Sequence, residues 1–213
     1  MYELHYYPGN ASFAPHVVLR ELGLPFELVR VDRENNANKG AAYLQLNPTG
    51  RIPVLVKDGA AMFETVAICM HLAERAPEAG LVPGVEDAQR AKFLQWLVFM
   101  TNTVQPDVLM YYYNARYTTD PDGGAAVQQA AARRLEEWYA IIEDALGDGP
   151  YFLGTRFTLL DIYLTMLTRW GRNLPTPPAS LPKTAALARK VLARPAVGEV
   201  LAAEGITGDF LAG

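Results

Sequence analysis

The chain has a single cysteine, Cys69, among 213 residues. One cysteine makes no internal disulfide and no metal site of its own. Histidine is scarce too: His5, His16 and His71 match no metal-ligand spacing, so no metal is expected. No apolar stretch reaches the roughly 18–20 uncharged residues of a membrane span, which sets a membrane aside. There is no long basic run and the net charge is -4. That balance points away from nucleic acid as a partner. The opening MYELHYYPG lacks a basic start followed by an apolar core, so no signal peptide is read and a cytoplasmic location is expected. What remains is ordinary for a globular chain. Half of the residues are hydrophobic and a fifth are charged, enough for a sizeable core.

Along the chain, YELHYY (2–7) reads as a short strand rich in aromatics. PHVVLRELGL follows with apolar residues at 17, 18 and 22 and a stop at Gly23, the pattern of a short helix. FELVRVD (26–32) reads as a second strand, and AAYLQL as a short helix after a polar loop. Then come a turn (47–51), a strand (53–57), a tight turn at Asp58–Gly59, a strand (60–63) and a helix (65–76). The order is β-α-β-α-β-β-α. Both early strand–helix–strand units predict parallel pairing. The segment PEAGLVPGVED, rich in Pro, Gly and acid, reads as a linker. Everything beyond predicts helix: 87–115 with an end or kink at Pro106, then 123–146, 158–172, and 183–204 around Pro195. The fold class is therefore α/β followed by all-α. Its divisions are residues 1–77, a linker at 78–86, and a helical region at 87–213.

Several stretches suggest chemistry. PGNASFAP (8–15) places small polar residues where a strand turns into a helix. The unpaired N–H groups and positive dipole end of a helix start favour a negative group there. In RIPVL (51–55) a proline opens a strand. Taken alone it reads as a trans proline on an edge strand; a cis bond at Ile52–Pro53 would instead turn the Ile52 main chain outward to pair with an extended peptide. In FETVAI, Glu64 and Thr65 sit at another strand-to-helix junction. They read either as ordinary helix-start residues or as a clamp for the amino and carboxylate groups of an amino acid. Cys69 falls inside an apolar helix and reads as core. In FTLLD, Thr158 and Asp161 form a capping box, with Phe157 and Ile162 at the staple positions; this is a folding feature. In YYYNARY (111–117) three successive aromatics cannot share one helix face, so at least one is exposed or lines a cleft.

Taken together, PGNASFAP, NPTGRIPVL, Glu64-Thr65, the linker and FTLLD resemble a soluble glutathione transferase over nearly the whole chain. The resemblance implies a thioredoxin-like N-terminal domain, a helical C-terminal domain and a cis Pro53. It implies that Arg51, Ile52 and Pro53 line the glutathione site, with Ile52 pairing by its main chain with the cysteinyl part. Glu64 and Thr65 would hold the γ-glutamyl end. It also implies a homodimer. The second substrate would lie in an apolar cleft beside the first long helix of the helical domain, walled by Tyr111, Tyr112, Tyr113 and Arg116. The turn and the ending ARPAVGEVLAAEG look most like the bacterial beta class. The chain departs from that class in two places. Ala11 stands where the class has a cysteine, and Gln105 and Pro106 match its His-Lys pair, so a mixed-disulfide route is not expected.

Three groups can donate a hydrogen bond to a bound thiolate: Ser12, then Tyr6, then Asn10, in the order expected. Ser12 is nearest the helix start and Tyr6 matches the catalytic tyrosine of tyrosine-type relatives. Each has a plainer role open to it: capping, core packing and turn shape respectively. The leading expectation is an enzyme that adds glutathione, its co-substrate, to small apolar electrophiles in detoxification. A glutathione-binding or protein-interaction module without turnover is the alternative. A specialised lyase, isomerase, dehalogenase or peroxidase is a third.

Overall fold

The structure is a computed structural model, described here for residues 1–212. It divides into two compact units: Met1–Val82 with Leu192–Gly208, and Pro83–Val191 with Asp209–Gly213. The sequence ended the first region at residue 77 and assigned everything from 87 onward to the second. The structure instead returns Leu192–Gly208 to the first unit.

The first unit is built on strands β1 (Tyr2–Tyr6), β2 (Phe26–Arg30), β3 (Val54–Lys57) and β4 (Ala60–Phe63). Their order in the sheet is β2-β1-β3-β4. β1 and β2 run parallel, joined by helix α1 (Phe13–Glu21). β3 runs antiparallel to β1, and β4 antiparallel to β3. Parallel pairing was expected of both strand–helix–strand units and holds only for the first. The reason lies in the connection from β2 to β3. Its helix α2 (Ala41–Leu46) has six residues, about 9 Å long. Because β3 starts at the same end of the sheet at which β2 finishes, the connection need not travel back along the strands. Asp58 and Gly59 both have positive φ, at 52° and 81°, as a two-residue hairpin turn matching the strand twist requires.

Pairing register sorts the side chains onto two faces. Tyr2, Leu4 and Tyr6 alternate inward on β1 with Leu55 opposite Leu4. This face meets α1, where every residue from Phe13 to Leu19 is buried, and where His16 meets the Tyr6 ring edge-on at 6.2 Å. Helix α3 (Thr65–Ala73) packs against α1, burying Ile68, Cys69 and Leu72 completely. The other face carries His5 and Val54, and α2 lies over it through Tyr43. Helix α9 (Pro195–Ala203) packs on α1 and completes the unit, with Val197 and Val200 fully buried.

The second unit is helical: α4 (Arg90–Phe99), α5 (Gln105–Tyr112), α6 (Gly124–Ala145), α7 (Leu159–Trp170) and α8 (Pro182–Leu192). Pro106 neither ends nor sharply breaks the first long helix. A π-helical turn at Met100–Val104 precedes it and carries the chain from α4 into α5. Proline offers no N–H to the helical ladder, and a wider turn accommodates that loss. α7 is buried from Leu159 to Thr168, as a helix at the centre of a bundle must be. At its start the Asp161 carboxylate accepts the Thr158 N–H at 2.7 Å and the Thr158 hydroxyl at 3.1 Å. It also accepts the Phe152 N–H at 2.7 Å, tying in the preceding loop. Asp161 is thus part of the fold's framework, as the capping box predicted. No helix among the described residues is long and apolar enough to cross a membrane.

Candidate functional site

The topology of the first unit gathers three segments at one end of the strands. His5 is paired with Val29 and Val54, and Val54 with Phe63. One residue beyond that row stand Tyr6, Pro53 and Glu64. The turn after β1, the loop before β3 and the start of α3 therefore converge, as crevices at strand ends do in open α/β sheets.

The turn after β1 is closed by its own hydrogen bonds. The Asn10 N–H donates to the Tyr7 carbonyl at 3.1 Å and the Phe13 N–H to the Asn10 carbonyl at 3.0 Å. Gly9 takes φ of 66°, a conformation natural to glycine. Ser12 sits inside this turn and is fully buried. Its hydroxyl accepts the Tyr7 N–H at 3.2 Å and donates to the Tyr7 carbonyl at 3.1 Å. A hydroxyl has one proton to give, and here it goes to the main chain. Ser12 does not cap α1 by its side chain either. Tyr6 is buried, its ring set against His16. Asn10 is only half-buried. Its Oδ1 accepts the Ala11 N–H at 2.6 Å, which orients the amide and leaves its NH₂ without a partner among the described residues. Ala11 is buried and brings no thiol to the turn.

The loop before β3 is organised by Asn47, which is 2% exposed. Its Oδ1 accepts the Thr49 N–H and hydroxyl at 3.0 and 2.8 Å. Its NH₂ donates to the Arg51 carbonyl at 2.7 Å, which also accepts the Tyr43 hydroxyl at 2.9 Å. The Arg51 side chain is exposed while its carbonyl is held by two donors. Burial pushes the Tyr43 hydroxyl pKa well up, keeping it a neutral donor. The Ile52–Pro53 bond is cis, as the resemblance implied and against the trans bond read from the residues alone. Ile52 packs with Val31, Tyr43 and Val54. Its main-chain N–H and C=O have no hydrogen-bond partner among the described residues.

Glu64 precedes α3 with φ of 76° and ψ of 112°, a conformation that costs a non-glycine residue energy and clusters at functional sites. No side chain caps α3. Thr65 is buried and Glu64 exposed, so the first-turn N–H groups of α3 are not engaged by either side chain. Cys69, one turn on, is fully buried, and burial pushes its thiol pKa up; such a thiol is inert.

In the helical unit, the Tyr111 and Tyr112 hydroxyls donate to the Asn173 and Trp170 carbonyls at 2.7 and 2.6 Å. Their rings meet edge-on at 5.2 Å. The Arg116 guanidinium lies 4.5 Å from the centre of the Tyr113 ring. Tyr112 is 38% exposed, so the three aromatics do divide between surfaces. Gln105 accepts the Tyr163 hydroxyl. One group in this unit and two in the first went unread in the sequence. Asp107 takes both arms of Arg134 and the Trp138 N–H, and Asn47 and Glu204 are the others that matter. Only Asn47 had a signal, as an Asx-turn residue in NPTG.

Comparison with known proteins covers the segments that carry these residues. The model of the "Glutathione S-transferase, N-terminal domain" matches residues 2–74 and that of the C-terminal domain matches 101–195. The chain belongs to the glutathione S-transferase family. It is a transferase by that membership, with a thioredoxin-like N-terminal domain and an all-helical C-terminal one. It is 31% identical to glutathione S-transferase GstA of Escherichia coli O157:H7 over 96% of this chain and 99% of that one. A glutathione transferase homologue from Sulfitobacter, solved with bound glutathione, superposes with a TM-score of 0.89 at 27% identity, covering 97% of this chain and 99% of that. A bacterial beta class glutathione S-transferase from Sphingomonas chungbukensis gives 0.82 at 28% identity, over 96% and 100%. The transferase thus matches these bacterial relatives over 96–97% of its length.

Proposed function

We propose that this transferase binds glutathione at this end of the strands of its first unit and adds the thiolate to small apolar electrophiles. The observation that carries the reading is the main chain of Ile52, without a hydrogen-bond partner among the described residues, next to Pro53, which stands level with Glu64 at the uncapped start of α3. An extended peptide can pair with Ile52 as a strand would. Its α-carboxylate suits the N–H groups at Thr65 and its ammonium suits Glu64. Tyr111, Tyr112, Tyr113 and Arg116 are the proposed wall for the electrophile, the two hydroxyls being held on carbonyls so that the rings stand fixed. Dimer formation belongs to this proposal as well and is read directly by sedimentation.

The donor order is revised from that expected of the sequence. Ser12 has spent its proton on Tyr7, and Tyr6 is packed in the core. Asn10 has an oriented NH₂ free to donate, so Asn10 is placed first. Each unit of pKa lowering is worth about 1.4 kcal/mol, and the free thiol titrates near 8.5. The test is calorimetric titration with reduced glutathione, with the thiolate absorbance followed across pH. Asn10→Ala is expected to raise the bound thiol by about one unit, Ser12→Ala to lower overall stability, and Tyr6→Phe to change little. Glutathione bound with an unshifted thiol would favour a binding module without turnover. No binding at all would defeat the reading.

A further inference from the structure

α9 and Glu204, the residue directly after it, reach the site turn through a buried contact. The Glu204 side chain is fully buried, as is that of His16 on α1. Its Oε1 lies 2.9 Å from His16 Nδ1, and its Oε2 accepts the Gly9 N–H at 2.8 Å. A carboxylate oxygen accepts, and the Nδ1–H tautomer of His16 is the one that donates to it. His16 Nε2 has no hydrogen-bond partner among the described residues and the imidazole is enclosed edge-on by the rings of Tyr6 and Phe26. The other end of α9 is fixed as well: Arg194 holds Glu21 of α1 through two hydrogen bonds of 2.6 and 2.7 Å. α9 is thereby pinned along α1 at both ends, and its last contact is with the residue preceding Asn10.

We propose that Glu204 is a positioning residue for the thiol site, holding Gly9 so that the Asn10 amide faces the bound sulfur. The inference rests on the functional reading above. A buried carboxylate is costly unless every oxygen is used, and the second oxygen of Glu204 is used on the site turn. Its charge cannot be the useful feature, since a negative group nearby disfavours a thiolate. Geometry is what remains. The Gly9 N–H is fixed, and with it the backbone from which the Asn10 side chain departs.

The test compares wild type with Glu204→Gln, which keeps an oxygen for Gly9, and Glu204→Leu, which fills the space without an acceptor. Glu199→Ala, an exposed change on the same helix, is the control. Three readouts are taken: amide exchange over residues 9–11 without ligand, the pKa of bound glutathione, and kcat with KM for glutathione using a nitroaryl chloride. Glu204→Leu should exchange faster at 9–11 and raise the bound thiol pKa. It should lower kcat by about tenfold to a hundredfold, with a smaller change in KM. Glu204→Gln should restore most of each. If Glu204→Leu does not fold because His16 is orphaned, the double change His16→Phe with Glu204→Leu removes the polar pair together and takes its place. Wild-type exchange and thiol pKa in the variant lacking the acceptor overturn the proposal. So does a Gln variant as impaired as Leu. If wild type itself fails to bind glutathione, the functional reading falls. The exchange data then decide alone whether Glu204 holds the turn.

Discussion

Ser12 and Asn10 show how one hydroxyl changes meaning once its partner is known. Both are small, polar and near a helix start, and proximity favours Ser12. In the proposed site that order is reversed, because the Ser12 hydroxyl donates to the Tyr7 carbonyl. Gly50 makes a sharper case at the same scale. It has φ of 61°, and an added Cβ would stand 2.7 Å from both the Asn38 carbonyl oxygen and Lys39 Nζ. Lysine can move aside but the Asn38 main chain cannot do so cheaply. Gly50→Ala is therefore expected to cost about 2 kcal/mol through strain at positive φ and the clash. It should also weaken glutathione binding, since Arg51 and Ile52 follow directly. Urea midpoints and calorimetry with glutathione measure the two effects. An unchanged midpoint would mean that the loop is far more yielding than its hydrogen bonds indicate.

Helix α7 shows how an element can be locally well written and still carry a pH dependence that no pattern reveals. Its capping box was legible because Thr158 and Asp161 are three residues apart, and such partners are set by helix geometry alone. Burial was not legible, and burial decides the ionisation. It pushes the Asp161 carboxyl from its ordinary 3.8 up to about 6, with the hydrogen bonds from Phe152 and Thr158 pulling the other way. A raised folded-state value means that the fold holds a proton which the unfolded chain has released. The contribution of Asp161 is therefore fully present below about pH 4 and is lost as pH rises through about 6. The gap corresponds to at most about 3 kcal/mol. Against Asp161→Asn, which does not titrate, the wild-type advantage should shrink steadily from pH 4 to 7 in urea unfolding. Parallel profiles would show that the three donors hold the carboxylate ionised. Pro106 is the complementary lesson. Its effect on the ladder was legible, whereas the π turn that absorbs it depends on the packing of Met100 and Val104, both fully buried.

At the scale of the molecule, what was readable is what neighbours in sequence determine. The strand and helix order and the turn at Asp58–Gly59 follow from short spans, and strand register then brings Pro53 beside Glu64. The illegible parts depend on partners far along the chain. Glu204 sits in AAEG, which reads as an exposed helix end, and its partners are 188 and 195 residues away. The same distance hid the return of Leu192–Gly208 to the first unit. That return is open to test through Val200, fully buried on α9. Val200→Ala leaves a void and should cost about 2 kcal/mol. The loss should be local: amide exchange should quicken in α1 and in residues 8–12, while α7 keeps its protection, because local opening follows packed units. Val98→Ala, at a position 52% exposed on α4, should alter neither region. Faster exchange in α6 to α8 instead would place α9 with the helical unit, and the support it gives to Gly9 would then need another source.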